Sequence, residues 1–266
     1  MIADVPRRAP SGPLAAQIRV ISALFMRELL TRFGRSRVGY IWLIGEPLML
    51  ALMISTLHWA SGSHLPNDLP TFLFYGMGYV PFMMFRSIAS RGAAAVTSNM
   101  SLLFHRSITL LDLMIARNIM EMLVCMTLVA LFVLGGMLTI GEIPHHPGQL
   151  ILGLVLSALL GHGLAMLLGS LQVFVEFTER LVHPFTYILM PISAPFYMVE
   201  TMPPDVREML LWNPLVHINE MNRWSMFGDR IVAHYDLGYI LLWVLGLNLL
   251  GMAGLRAARP RLSMSD

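Results

Sequence analysis

The chain has 266 residues, of which 56% are hydrophobic and 13% charged, with a formal net charge of +2. Soluble domains carry about 25% charged residues, so the composition excludes an ordinary water-soluble domain, and the length of the apolar runs leaves little chain for a separate catalytic one. All 18 basic residues are arginines, and they read as membrane anchors; no nucleic-acid partner is expected.

Residues 1–13, rich in Pro and Arg, read as a disordered cytoplasmic tail. In 14–37 the apolar positions Leu14, Ile18, Ile21, Phe25, Leu29 and Phe33 recur every three or four residues. Arg19, Arg27, Glu28 and Arg32 fill much of the other face, which predicts an amphipathic helix in the cytoplasmic membrane interface. Arg19 interrupts the stretch and no small-residue cleavage site follows, so no cleavable signal peptide is expected.

A span needs about 20 mainly apolar residues. The first is read as Tyr40 to Ala60, the second as Thr71 to Ser90, the third as Leu113 to Leu138 and the fourth as Leu150 to Val175. The fifth, His183 to Val199, is short and broken by Pro184, Pro191 and Pro195; the sixth runs from Leu237 to Leu255. Residues 38–257 thus read as an all-α integral membrane domain of six transmembrane helices, followed by a cytoplasmic tail, 258–266. Fifteen arginines fall before the first span, around the loop between spans two and three, between spans four and five, and after span six. The positive-inside rule places those regions, and both termini, in the cytoplasm.

Within the fourth span Gly153, Ser157, Gly161, Ala165 and Gly169 form a small-residue stripe of the kind that lets helices approach closely; glycine enrichment in membrane helices is the plainer account. Between spans five and six, the outer segment 200–236 holds two short half-apolar stretches around Asn213-Pro214. They read either as a re-entrant hairpin before the last span or as a flat interfacial pair.

Ionisable residues inside spans are candidate functional groups. Counted at 1.5 Å per residue, Glu46 and Arg86 fall at similar depths in the cytoplasmic third, about 9 Å from the inner end and about 22 Å from the outer end of their spans. Glu121 lies near that level. A charged cluster of Glu46, Arg86 and Glu121 is expected, acting as a latch or meeting an anionic substrate; snorkelling of Arg86 is the alternative. Arg91, one turn further in, reads as an interfacial anchor, although Arg86 and Arg91 together could receive negative charge at the inner entrance. Aromatics gather toward the outer half, among them Tyr75, Tyr79, Phe82, Tyr187, Phe196 and Tyr197. An interfacial belt explains some of them, whereas Tyr75, Tyr79 and Phe82 at helical spacing suit a path lined for sugar rings. His145-His146 and the His217/Glu220 pair lack further ligands at a metal-binding spacing and read as loop and cap residues. No phosphate-binding loop, nucleophile elbow or metalloprotease motif is present.

The stretch RELLTRFGRSRVGYIWLIGEPL, Arg27 to Leu48, resembles the approach to span one in permeases of type-two ATP-binding-cassette exporters. LLWNPLVHINEMNRWSMFG, Leu210 to Gly228, resembles the segment before their last span. With the broken fifth span and the arginine tail, the chain from residue 14 is similar to the KpsM-like capsule polysaccharide export permeases. The resemblance implies a non-catalytic homodimer carrying lipid-linked polysaccharide across the bacterial inner membrane. Two ATP-binding-cassette subunits would supply ATP and Mg, no cofactor being bound by this chain, and a periplasmic adaptor and an outer-membrane export protein would continue the route. It also implies a coupling helix in the first cytoplasmic loop, with Asn99, Ser101, Leu102, Leu103, Phe104, His105 and Arg106 facing the ATPase. The channel would lie between spans one and five of the two copies, closed by periplasmic helices at 203–212 and 214–227. Export of another glycopolymer, such as O-antigen or teichoic acid, is a variant of this reading. A stand-alone membrane enzyme or flippase would need clustered carboxylates or histidines at one membrane face, and a secondary transporter would often show inverted repeats; neither is seen in the sequence.

Overall fold

The computed structural model describes residues 12–33, 37–62, 65–98, 108–175 and 177–262, and these are helical, with short 3₁₀ turns and no strand among them. The helices are α1 (Pro13–Phe33), α2 (Arg37–Ala60), α3 (Thr71–Ser98), α4 (Leu110–Ile140), α5 (Pro147–Phe174), α6 (Phe177–Ile192), α7 (Pro204–Leu210), α8 (Pro214–Phe227) and α9 (Leu237–Leu262). Three of them, α4, α5 and the stretch Leu237–Arg261 of α9, are long and apolar enough to cross a membrane. Local chemistry sets several ends. Thr109 and Asp112 form a reciprocal capping box that starts α4, and Gly141 in the left-handed region (φ 73°) ends it. Pro147 opens α5, where its missing N–H would have had no partner.

α5 is the packing centre. The whole small-residue stripe is buried, and it forms a seam with α3: Ser157 donates to the Pro81 carbonyl at 3.2 Å, and a Cβ on Gly161 would stand 3.0 Å from the Phe85 carbonyl oxygen. A second seam joins α5 to α9, where a Cβ on Gly163 would meet the Asn248 nitrogen at 2.8 Å and one on Gly251 the Gly163 oxygen at 2.9 Å. Such contacts bring backbones together where hydrophobic drive between helices is missing. α3 threads the middle, with Leu73, Phe74, Met77, Ile88 and Ala89 fully buried.

One sequence expectation changes and a second gains detail. The fifth span was placed at His183–Val199, but α6 covers Phe177–Ile192. Both Pro184 and Pro191 sit inside the helix, which stops where Ala194, the residue before Pro195, takes φ 54°; the ring of a following proline disfavours helix at that position. α1 is expected in the membrane interface, and part of its apolar face packs on the chain itself. Val20, Ile21, Leu24 and Phe25 lie against Ile108, Leu113 and Ala116. Gln17 donates to Asp112 at 2.6 Å and Arg117 pairs with Glu28 at 3.4 Å. Leu14, Ile18, Met26 and Leu30 remain exposed.

The connections group at two ends. At one, Arg230 pairs with both Glu142 oxygens at 2.7 Å, Asn67 donates to the Arg230 carbonyl at 2.7 Å, and the His146 N–H donates to Ser225 at 2.9 Å. The loops after α2 and α4 and the segment between α6 and α9 therefore share one side. At the other end α1 meets the start of α4, Arg117 donates to the Arg91 carbonyl at 3.1 Å, and Arg261 lies 4.5 Å over the Phe174 ring.

Candidate functional site

The segment between α6 and α9 holds the most polar interior of the described residues. Twelve residues of α8 are buried, including His217, Asn219, Glu220, Asn222 and Arg223. The reason lies in the interrupted backbone after α6. Helix termini leave carbonyls without intrahelical partners, and in lipid such groups must be satisfied by protein. Side chains from α8 and its cap meet this need in order. Asn213 donates to the Ile192 carbonyl at 3.1 Å and to the Ser193 hydroxyl at 3.0 Å. Asn219 donates to the Ser193 carbonyl at 2.7 Å. Arg223 donates to Pro195 and Tyr197, both at 2.7 Å.

Arg223 is wholly enclosed. Its side chain is 0% exposed, 3.7 Å from Glu220, and its guanidinium lies 4.0 Å over the Phe74 ring. A Cβ on Gly78 would fall 2.2 Å from the Pro195 oxygen and 2.5 Å from the Arg223 guanidinium, so only glycine on α3 admits this arrangement. Gly153 on α5 does the same for Asn222, whose Oδ1 would stand 2.1 Å from an added Cβ. His217 uses both ring nitrogens: Nδ1 accepts from the Asp236 N–H at 2.9 Å, which leaves the proton on Nε2 to be donated to Leu211 at 2.8 Å. Next to this core, Glu200 pairs with His234 and with Arg207 at 3.2 Å. The hydrogen bond from His234 and then the charge of Arg207 hold the Glu200 carboxyl below its ordinary value.

The residues assigned to a substrate path separate into groups. Arg86 lies 3.6 Å over the Tyr187 ring, joining α3 to α6. Tyr79 stacks on Phe196 at 5.8 Å, and Tyr79 and Arg91 line one cavity of about 110 Å³ between α3 and α4. Tyr75 is buried against His58, with ring centroids 4.4 Å apart. Phe82, expected on the same lining, sits instead in a core cluster with Phe85, Leu160, Ile218 and Ile240. Tyr197 donates its hydroxyl to Pro191 at 2.8 Å. The expected union of Glu121 with Arg86 is not formed: Arg91 is the partner of Glu121, at 3.1 Å. Five residues separate the two arginines, which turns them about 140° apart around the helix. The Glu46 side chain and the coupling residues Asn99, Ser101, Leu102, Leu103, Phe104, His105 and Arg106 lie outside the described residues. Ile108, just after them, packs beneath α1.

The profile of the ABC-2 type transporters matches residues 19–227. The chain belongs to the ABC-2 type transporter family. It is similar to the capsule polysaccharide export inner-membrane protein CtrC of Neisseria meningitidis serogroup B, with 34% identity over 90% of this chain and 91% of the relative. It is also similar to the capsule polysaccharide export inner-membrane protein BexB of Haemophilus influenzae (30%, over 90% and 91%). The polysialic acid transport protein KpsM of Escherichia coli is 30% identical over 88% of this chain and 91% of the relative. The family match ends at the last residue of α8, so the enclosed core of this ABC-2 transporter chain lies inside the matched region. The sequence does not single out Asn219, Asn222 or Arg223, and it weighs Glu220, with His217, only as a metal ligand. The available signal was their polarity within a segment otherwise rich in Leu, Met, Trp and Phe, at positions three and four apart.

Proposed function

We propose that the chain is the membrane permease of an ATP-driven exporter that moves lipid-linked capsular polysaccharide across the bacterial inner membrane. The single observation that carries this reading is the near end-to-end similarity to inner-membrane proteins named for capsule polysaccharide export. The permease is a transport component and performs no chemistry on its cargo. Energy comes from two separate ATP-binding-cassette subunits, which hold ATP and Mg and press on the loop after α3. Two copies of the permease form the conduit, a periplasmic adaptor and an outer-membrane protein continue it, and both termini are cytoplasmic. The chain crosses six times, through α2, α3, α4, α5, α6 and α9, and the segment holding α7 and α8 is the outer closure.

Several features support this arrangement. The two ends at which the connections group are those that six crossings require. α2 and α6, between which the channel is placed, expose Met53, Leu57 and Trp59 on one helix and Phe185, Tyr187 and Ile188 on the other. Arg86 on Tyr187, the Tyr79–Phe196 stack and Arg91, in separate groups along α3, supply aromatic faces and positive charge for an acidic glycolipid; Glu46, Tyr75 and Tyr197 complete the proposed path. The test is export in a strain lacking the chromosomal copy. The wild-type chain restores surface polymer, and Arg86→Ala abolishes it while the ATPase subunits still copurify. Restoration of surface polymer without any ATP-binding-cassette partner would overturn the reading.

A further inference from the structure

The cavity between α3 and α4 is a groove with two unlike ends. One wall runs along α3 from Tyr79 to Arg91, the other along α4 from Glu121 to Leu128. The twelve rises of about 1.5 Å from Tyr79 to Arg91 make the α3 wall about 18 Å long, close to the thickness of one leaflet, half of a hydrocarbon core of about 30 Å. Polar groups collect at one end, where Ser87, Arg91 and Glu121 stand; towards the other the walls are apolar, with Met84 and Leu128 among them. Arg91 is 46% exposed while its partner Glu121 is 6% exposed. One guanidinium nitrogen therefore faces the buried carboxylate, and much of the remaining fork stays open. A guanidinium offers five N–H donors in a plane that fits phosphate oxygens.

We propose that this groove is a binding site for a phosphate-headed acyl lipid of the cytoplasmic leaflet, its phosphate at Arg91 and one chain along Met84 and Leu128. The assignment rests on the sidedness given under the proposed function, because Arg91 is near the end of α3 that leads to the cytoplasmic loop. The lipid holds its head at the Arg91 end and its chain parallel to α3. Glu121 sets the strength of binding: it orients the guanidinium and competes with the phosphate for it. The same chemistry is offered by a bilayer phospholipid and by the lipid anchor of the exported polymer.

Photolabelling tests the site without requiring export. The purified full chain is placed in nanodiscs containing phosphatidylglycerol with a diazirine in its acyl chain, and adducts are mapped by mass spectrometry. Adducts concentrate on residues 80–84 and 124–128, several-fold above those from the same probe built on phosphatidylcholine. Arg91→Gln removes that difference, whereas Glu121→Gln raises phosphatidylglycerol labelling, an increase that a purely structural ion pair would not give. Leu128→Trp, which keeps both charges, blocks labelling by filling the groove. Unlabelled phosphatidylglycerol as the better competitor assigns the site to a bilayer phospholipid; lipid-linked polymer extracted from envelopes as the better competitor assigns it to the cargo's anchor. Equal labelling by both headgroups, adducts spread evenly over the exposed α9 residues, or no competition by either lipid overturns the proposal. Failure of the wild-type chain to restore surface polymer, with labelling intact, would count against the transport reading alone.

Discussion

α7 and α8 are two limbs of one segment between α6 and α9, and they are held in opposite ways. None of the seven residues of α7 is buried, whereas twelve of the fourteen in α8 are. α7 is tied by Arg207, which donates to the Glu200 carbonyl at 2.8 Å and pairs with its carboxylate. α8 is tied by side chains that reach carbonyls at Ile192, Ser193, Pro195 and Tyr197 across 21 to 28 residues of chain. The difference teaches that two limbs of one segment need not do the same job. Lifting α8 would strip a charged group and several carbonyls of their partners at once, while moving α7 would break a part-exposed ion pair, which water can replace, and the packing of half-buried Leu210 on Val199 and Val216. Of the two limbs α8 is the fixed post, and α7 is the one held by fewer buried contacts.

The largest effect is expected at Arg223. Arg223→Met leaves Glu220 enclosed without its counter-charge and strips two carbonyls of donors, and removal of one member of a buried ion pair costs about 3–5 kcal/mol. Arg223→Lys rescues little, because a single ammonium on a flexible stem does not reproduce a planar fork reaching two carbonyls. Thermal unfolding of the purified protein checks both variants. A melting temperature equal to wild type for Arg223→Met would remove the fixed-post assignment.

Next in size is the wall behind α8. Gly153→Ala drives a methyl group into Asn222, an overpacking that costs about 1–3 kcal/mol. Because the clash is with the Asn222 side chain, the double variant Gly153→Ala with Asn222→Ala should be less destabilised than the sum of the two single changes, with a coupling of about 0.5–3 kcal/mol. Simple additivity in the same unfolding measurement would place the cost elsewhere.

On the α7 side the tether is acid-sensitive. Glu200 is held below its ordinary value of 4.5, first by the hydrogen bond from His234 and then by Arg207. A depressed carboxyl contributes stability above its unfolded value and loses it as pH falls through the folded one. Glu200→Gln should therefore lower the melting temperature at pH 7, with the gap to wild type beginning to close below pH 4.5. A gap that widens on acidification would contradict the sign.

Much of this fold is legible in apolar length alone: α4 and α5 fall within three residues of their expected bounds, and α9 starts at the expected Leu237 but runs on past Leu255 to Leu262, because period and length suffice to specify an apolar helix. The small-residue stripe on α5 was legible for the same reason. The bounds of α6 were not, since whether Pro184 and Pro191 interrupt a helix depends on neighbours able to take up the freed carbonyls. The pairing of Glu121 was missed because counting residues along a span fixes depth but leaves the direction around the axis open. α8 is the hardest: whether its segment is re-entrant or flat stays open in the sequence, and the burial of its Asn, Glu and Arg residues depends on carbonyls of another segment. Recognition of the export family came from stretches containing these residues, yet their roles emerge only when residues 192–197 stand beside α8.

The smallest expected effect isolates the exposed limb. Trp212 follows α7 directly and is 79% exposed, with Met209 at 74%. Its carbonyl accepts from the Tyr239 hydroxyl at 2.7 Å, so Trp212 sits level with the start of α9, where aromatic side chains favour the membrane–water boundary. Its indole packs on little protein, so Trp212→Ala should change unfolding stability within about 0.5 kcal/mol, although it removes one of the largest side chains in the segment. Export is the measurement that gives this variant meaning. If α7 is the limb that moves and Trp212 steadies it at the boundary, surface polymer falls in Trp212→Ala without loss of folded protein. A stability loss approaching that of Arg223→Met would show α7 to be as firmly built in as α8 and erase the distinction between them.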